Sequence, residues 1–140
     1  MEQEVIIKPM PRYWKYMPTI GADLAMSRYP YIYLPEHLYQ RWMKRQMSVQ
    51  DEGVLIHENV HIHRQKKAGI WTYEVMYLFS RKFRLHEELV AIREQMKFLK
   101  GHGQSYDFNR KARQFASFEY FWVTSYDEGR IMLEGLWSEV

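Results

Sequence analysis

The sequence predicts an α+β fold that is mainly α, with a small N-terminal sheet followed by helices. Three observations predict it. All five prolines lie at positions 9, 11, 18, 30 and 35, so no proline ring breaks a helix beyond residue 35. The β-branched and aromatic runs bounded by prolines, "EVIIK" and "YPYIYLP", fall in the same first quarter. Beyond them, apolar residues recur at helical spacing.

A chain of 140 residues with 46% hydrophobic content suits one domain with its own core. The strand-bearing part is expected at about 1–35 and the helical part at about 36–140. The elements follow in order. A strand is expected over 4–8 and a second over 29–35, where the flanking prolines favour a sheet edge or strand boundaries. Pro35 suits the first turn of a helix reaching residue 47. Ser48 or Asp51 caps the next helix, which runs to residue 67 and closes at Gly69, with Lys66 and Lys67 in its last turn. Further helices are expected over 70–83, 85–99, 108–123 and 126–137, with "KGHGQSYDFN" as a loop. "SYDE", 125–128, has capping-box spacing.

Composition removes several function classes. There is no cysteine, so neither a disulfide scaffold nor a cysteine-ligated zinc finger is possible. Any metal site must use His, Asp and Glu. The start is acidic where an export signal is basic, and no long apolar run follows, so a cytoplasmic protein with no membrane partner is expected. For a phage-encoded chain that means the host cytoplasm or the virion. The net charge is +3, but the 20 basic residues are spread over many segments and matched by 17 acids. Solvated helix faces, rather than a nucleic-acid partner, are expected.

The stretch "VLIHENVHIHRQ", 54–65, carries the chemistry. On a helix His57 and His61 stand about 40° apart, one turn above the other, so both imidazoles reach one ion. Glu58 lies about 100° round from His57, beside such an ion rather than on it. There its carboxylate can take a proton from water. His63 lies roughly 120° or more from both and is read as a surface or core-edge residue. The motif is short enough to arise by chance in a chain with six histidines, so a third ligand is required. A metzincin arrangement is excluded, because Arg64 and Lys67 stand where its glycine and third histidine belong.

The other source is a later helix. In "RLHEELVAIREQMKFL", 84–99, Leu85, Leu89, Ile92, Met96 and Leu99 form an apolar stripe. Measured from it, Glu88 is about 60° off, His86 about 100° and Glu87 about 160°. Glu88 is therefore the expected ligand, His86 the reserve, and Glu87 is expected to face solvent. The aromatic stretch "WTYEVMYLFSRKF" places Trp71, Val75, Leu78 and Phe79 on one face, expected to pack in the core.

His57-Glu58-Asn59-Val60-His61 followed by Glu88-Leu89-Val90-Ala91 resembles the gluzincin clan, the thermolysin-like zinc peptidases. The length is similar to the single-domain minigluzincins and to small phage and bacterial proteins of this arrangement. The resemblance covers roughly residues 29–99 and implies a zincin-like domain hydrolysing a peptide or protein. In it His57, His61 and Glu88 hold Zn²⁺, and Glu58 is the general base. An extended substrate would pair with a sheet edge, for which Tyr31 to Leu34 is the candidate. A downstream group such as Tyr120, Tyr126 or His102 would stabilise the oxyanion, and Arg64 or Gln65 could bridge to a ligand carboxylate. The sequence departs from the family at Ile92, where an Asp or Asn often orients a ligand histidine. The alternative is a zinc-stabilised structural or interaction protein, such as a phage assembly component, with an assembly partner and an idle site.

Overall fold

A computed structural model describes residues 5–11 and 24–140. The order is β1 (Ile6–Pro9), β2 (Met26–Arg28), β3 (Tyr31–Leu34), α1 (Glu36–Met43), α2 (Val49–Ala68), α3 (Ile70–Phe79), α4 (Arg81–Gly101), α5 (Phe108–Phe115), a 3₁₀ turn (Phe118–Tyr120) and α6 (Tyr126–Glu139). The chain is α+β and mainly α, as its sequence predicts. Of the strand expected over 4–8, Glu4 lies outside the described residues.

The sheet order is β1-β3-β2, with β1 parallel and β2 antiparallel to β3. The "YIYL" strand is thus central, not the expected edge. Its prolines mark its ends: Pro30 lies in the turn from β2 and Pro35 caps α1. Strand boundaries, the other reading of those prolines, is the one realised. Ile32 and Leu34 point the same way, by the two-residue alternation of a strand. They pack with Leu38 and Ile62 in one apolar cluster.

The helix ends follow local chemistry. Ser48 and Asp51 form a reciprocal capping box at α2, so both expected cap residues act together. Ser80, Asp107 and Ser125 each accept a backbone N–H at the starts of α4, α5 and α6. Gly69 at φ 88° separates α2 from α3.

Three helices stop earlier than expected. α1 ends at Met43 because Arg45 takes φ 55°. Gln46 N–H then bonds Arg41 O and Arg45 N–H bonds Trp42 O, a Schellman closure without glycine. α3 ends at Phe79, where Ser80 caps the next helix instead. α5 ends at Phe115, and a 3₁₀ turn leads to Phe121 and Trp122 at φ 52° and 50°. That fold-back, closed by Trp122 N–H on Ser117 O, is what carries Tyr120 inward.

The second apolar cluster joins α4, α5 and α6 through Ile92, Met96, Leu99, Phe115, Val123 and Leu133. Helices α2 and α4 lie side by side between the two clusters. They approach closely at Gly53, where an added Cβ would sit 3.2 Å from Leu99 Cδ2 and 3.4 Å from Gln95 Cγ. That contact lies one turn before His57.

Two packing expectations are overturned. Glu87 does not face solvent; it is 2% exposed. The buried face of α4 is Arg84, Glu87, Glu88, Ala91, Ile92, Gln95, Met96 and Leu99, a helical stripe rotated from the apolar one. Leu85 and Leu89 are only half-buried, and counting them shifted the predicted phase. Arg64 of α2 forks onto Glu87, with Nη2 2.8 Å from Oε1 and Nε on Oε2. Its charge lets the carboxylate stay inside. The second reversal is α3. Trp71, Val75, Leu78 and Phe79 are exposed, not core, because only Tyr73 and its side of the helix face α2 and α4.

Candidate metal centre

The centre is built where α2 and α4 meet. The one-turn spacing on α2 brings His57 and His61 together with Nε2 atoms 3.1 Å apart. Glu88 on α4 straddles the pair, with Oε2 3.2 Å from His57 Nε2 and Oε1 3.3 Å from His61 Nε2. One donor atom from each residue lies within 4.8 Å of the others, and all three side chains are buried. His57, His61 and Glu88 can therefore hold a metal ion.

The spacing fits a tetrahedral ion. Bonds of about 2.0–2.1 Å in that geometry set neighbouring donors about 3.3 Å apart. The hydrogen-bond pattern fits as well. His57 Nδ1 donates to Gln95 Oε1 at 3.2 Å, which leaves Nε2 with its lone pair facing the carboxylate. Glu88 Oε2 is buried and receives no hydrogen bond. Lone pairs converging in a buried space repel unless a cation or proton lies among them.

The surrounding groups fix the ligands. Tyr73 OH lies 3.1 Å from His61 Nδ1, and Tyr77 OH donates to Glu88 Oε1 at 2.7 Å. Both tyrosines come from the inner side of α3, one turn apart. Burial raises the Tyr73 and Tyr77 hydroxyls well above the usual phenol range, reinforced by nearby carboxylates, so both stay protonated. Tyr77 donates to Glu88, and the Tyr73 oxygen can accept from His61 Nδ1–H, the tautomer that frees Nε2. Burial pushes the Glu88 carboxyl up, but His61 and His57 together outweigh it and hold it well below the usual carboxylate range. Burial pulls the His61 imidazole down, yet Glu88 more than offsets this and raises it.

Glu58 is 7% exposed. Burial raises its carboxyl above the usual range, against the pull of His57 and His61. It shares with His57 the wall of a cleft of about 270 Å³. The buried lining includes Gln95, Tyr106 and Tyr120, and the more open lining includes His37, Arg110 and Lys111. Of the three residues considered for an oxyanion, only Tyr120 lines this cleft. Tyr126 bonds Asn109 on the surface, and His102 is exposed with Nδ1 on Phe98 O.

Other expected residues fall outside. His63 is exposed, in keeping with its surface reading, and so is the reserve ligand His86. Gln65 bonds Ser27 O and Tyr29 N–H, tying α2 to the sheet, while Arg64 bridges to Glu87 rather than to a ligand.

Sequence reasoning missed Gln95, Tyr73, Tyr77 and Lys111. Gln95 was findable: it is seven residues after Glu88, two turns along the same face. It takes the orienting role that the substitution at Ile92 left open. Lys111 lies in the basic run "NRKARQ", which reads as solvated. Its Nζ instead donates to Tyr120 OH at 3.1 Å, and burial lowers its ammonium pKa. Compared with known families, curated proteins and solved structures, the chain matches none.

Proposed function

We propose that this protein is a zinc-dependent peptidase of gluzincin type, with His57, His61 and Glu88 as ligands and Glu58 as general base. The observation that carries the reading is the placement of Glu58: a buried carboxylate beside the ligand pair, opening on the cleft that His57 lines. A site that only braces the fold has no use for it. A bound Zn²⁺ supplies a Lewis acid and a water activated as nucleophile.

The chain's own groups do the rest. Glu58 accepts the proton of the water that attacks the scissile carbonyl, and returns it to the amine nitrogen as the C–N bond breaks. Its raised proton affinity favours the first of these transfers. Because Lys111 occupies a lone pair of the Tyr120 oxygen, the phenolic hydrogen is left to donate to negative charge growing on the carbonyl oxygen. Gln95 and Tyr73 hold the imidazoles at their Nδ1 atoms, and Tyr77 holds Glu88. The outer strand β2, joined to α2 through Ser27, replaces β3 as the edge on which an extended substrate can pair.

The test is Glu58→Gln. The variant should keep its metal and lose peptide hydrolysis by roughly 10²–10⁴-fold, read by mass spectrometry of a digested peptide library. A variant as active as the wild type, or a metal-loaded wild type that cleaves nothing, sinks the peptidase reading. The zinc-stabilised interaction protein would then stand in its place.

A further inference from the structure

Helix α3 is apolar nearly all round, yet it lies on the outside of the molecule. At about 100° per residue, Trp71, Val75, Leu78 and Phe79 fall within an arc of about 100°. They are 76%, 54%, 53% and 80% exposed, and Met76 beside them is 43% exposed. Tyr73 and Tyr77, on the opposite side, reach His61 and Glu88. Another exposed aromatic pair lies near the helix end. Arg84 bonds Tyr77 O and Leu78 O, and its guanidinium lies 5.4 Å from the Phe121 ring. Phe121 and Trp122 are themselves about half exposed. A water-soluble surface rarely leaves so much aromatic area uncovered.

Charge says what covers it. Lys66 and Lys67 stand exposed just before the helix, and Arg81 and Lys82 just after it. The acid within α3, Glu74, is taken by Arg28 at 2.5 Å, and the same guanidinium lies 5.8 Å over the Trp71 ring. The stripe is therefore flanked by cations at both ends. A second copy is a poor occupant: parallel or antiparallel pairing of two α3 helices sets cations against cations. A short aromatic helix edged with lysine and arginine instead matches the boundary of an anionic bilayer, where rings enter the headgroup region and cations meet lipid phosphates and carboxylates.

We propose that the outer face of α3 is a docking surface for an anionic lipid bilayer, on which the helix lies in plane. Among the described residues no helix is long and apolar enough to cross a membrane, and ten residues of α3 span only about 15 Å. The expectation of no membrane partner rested on the lack of a spanning segment, a criterion blind to a face that rests on the surface. This inference is independent of peptide hydrolysis.

The test is flotation of the full chain with vesicles of phosphatidylcholine, with and without phosphatidylserine. Wild type should float with the anionic vesicles and stay behind with the neutral ones. The pair Trp71→Ser with Phe79→Ser, and separately Lys66→Glu with Lys67→Glu, should each cut partitioning by roughly tenfold or more. All four positions are exposed, so circular dichroism should show an unchanged fold. Wild type that never floats, or variants that float equally well, overturns the proposal and leaves the face to a protein partner. Sedimentation showing a wild-type dimer that Trp71→Ser with Phe79→Ser dissolves also overturns it, in favour of a second copy.

Discussion

Gln95 Oε1 and His57 Nδ1 lie 3.2 Å apart, and this one contact decides which nitrogen of His57 faces Glu88. A carbonyl oxygen can only accept, so Nδ1 must carry the proton and Nε2 is free to bind an ion. Gln95→Leu keeps the size of the side chain but removes the acceptor. The expected result is a fold close to wild type with metal affinity reduced by about 10–100-fold, measured by chelator competition. Unchanged affinity would show that packing alone holds the ring.

Metal content tests the centre itself. Wild type purified without added metal and then loaded should hold one ion per chain. His61→Ala and Glu88→Ala should each lose most of it, as read by elemental analysis. Because an ion that binds only the folded chain stabilises it, saturation to 100 times Kd should add about 2.7 kcal/mol to wild-type stability, and far less to either variant. Affinity should rise with pH, since the ligands bind deprotonated. It should go on rising above the usual imidazole range because, against the effect of burial, Glu88 raises the His61 imidazole.

Asp51 gives a dependence on pH separate from the centre. Arg41 forks onto it at 2.8 and 2.9 Å, and Ser48 N–H donates to it at 3.0 Å. The Arg41 bonds, with the Ser48 contacts, hold the carboxyl below the usual range against the opposing effect of burial. A carboxylate with a folded pKa below its unfolded value of about 3.9 stabilises the fold above that value. The contribution is lost as pH falls through the folded pKa. Asp51→Asn should therefore lower stability at neutral pH and flatten the acid limb, in urea melts run at a series of pH values. Ser48→Ala, which removes the other half of the cap, should cost about 1 kcal/mol.

Arg64 and Glu87 test the corrected face of α4. Glu87 is buried, so Arg64→Leu leaves an uncompensated carboxylate and should destabilise the chain by about 1–3 kcal/mol. Arg64→Leu with Glu87→Leu should recover much of that loss, because both charges go together. Thermal melts of the single and double variants check it. A single variant as stable as wild type would mean that Glu87 readily turns outward.

What the sequence by itself determined is what lies within one helix or at its ends. The four-residue spacing of His57 and His61, the placement of Glu58 beside them and the Ser48–Asp51 cap depend only on helical geometry. Glu88 was also legible, because it flanks the apolar stripe and lies near the middle of the face that α4 buries. Only the tertiary structure decided which side of each element meets a neighbour. It rotated the buried face of α4 to take in Glu87, because Arg64, 23 residues earlier, supplies the charge that lets a carboxylate stay inside. It turned the aromatic stripe of α3 outward, since the Tyr73 and Tyr77 hydroxyls find hydrogen-bond partners on His61 and Glu88. It made "YIYL" the central strand, because β1 and β2 both pair with it. Periodicity fixes which residues share a face; which face is covered depends on contacts between segments far apart in the chain, and no local pattern encodes those.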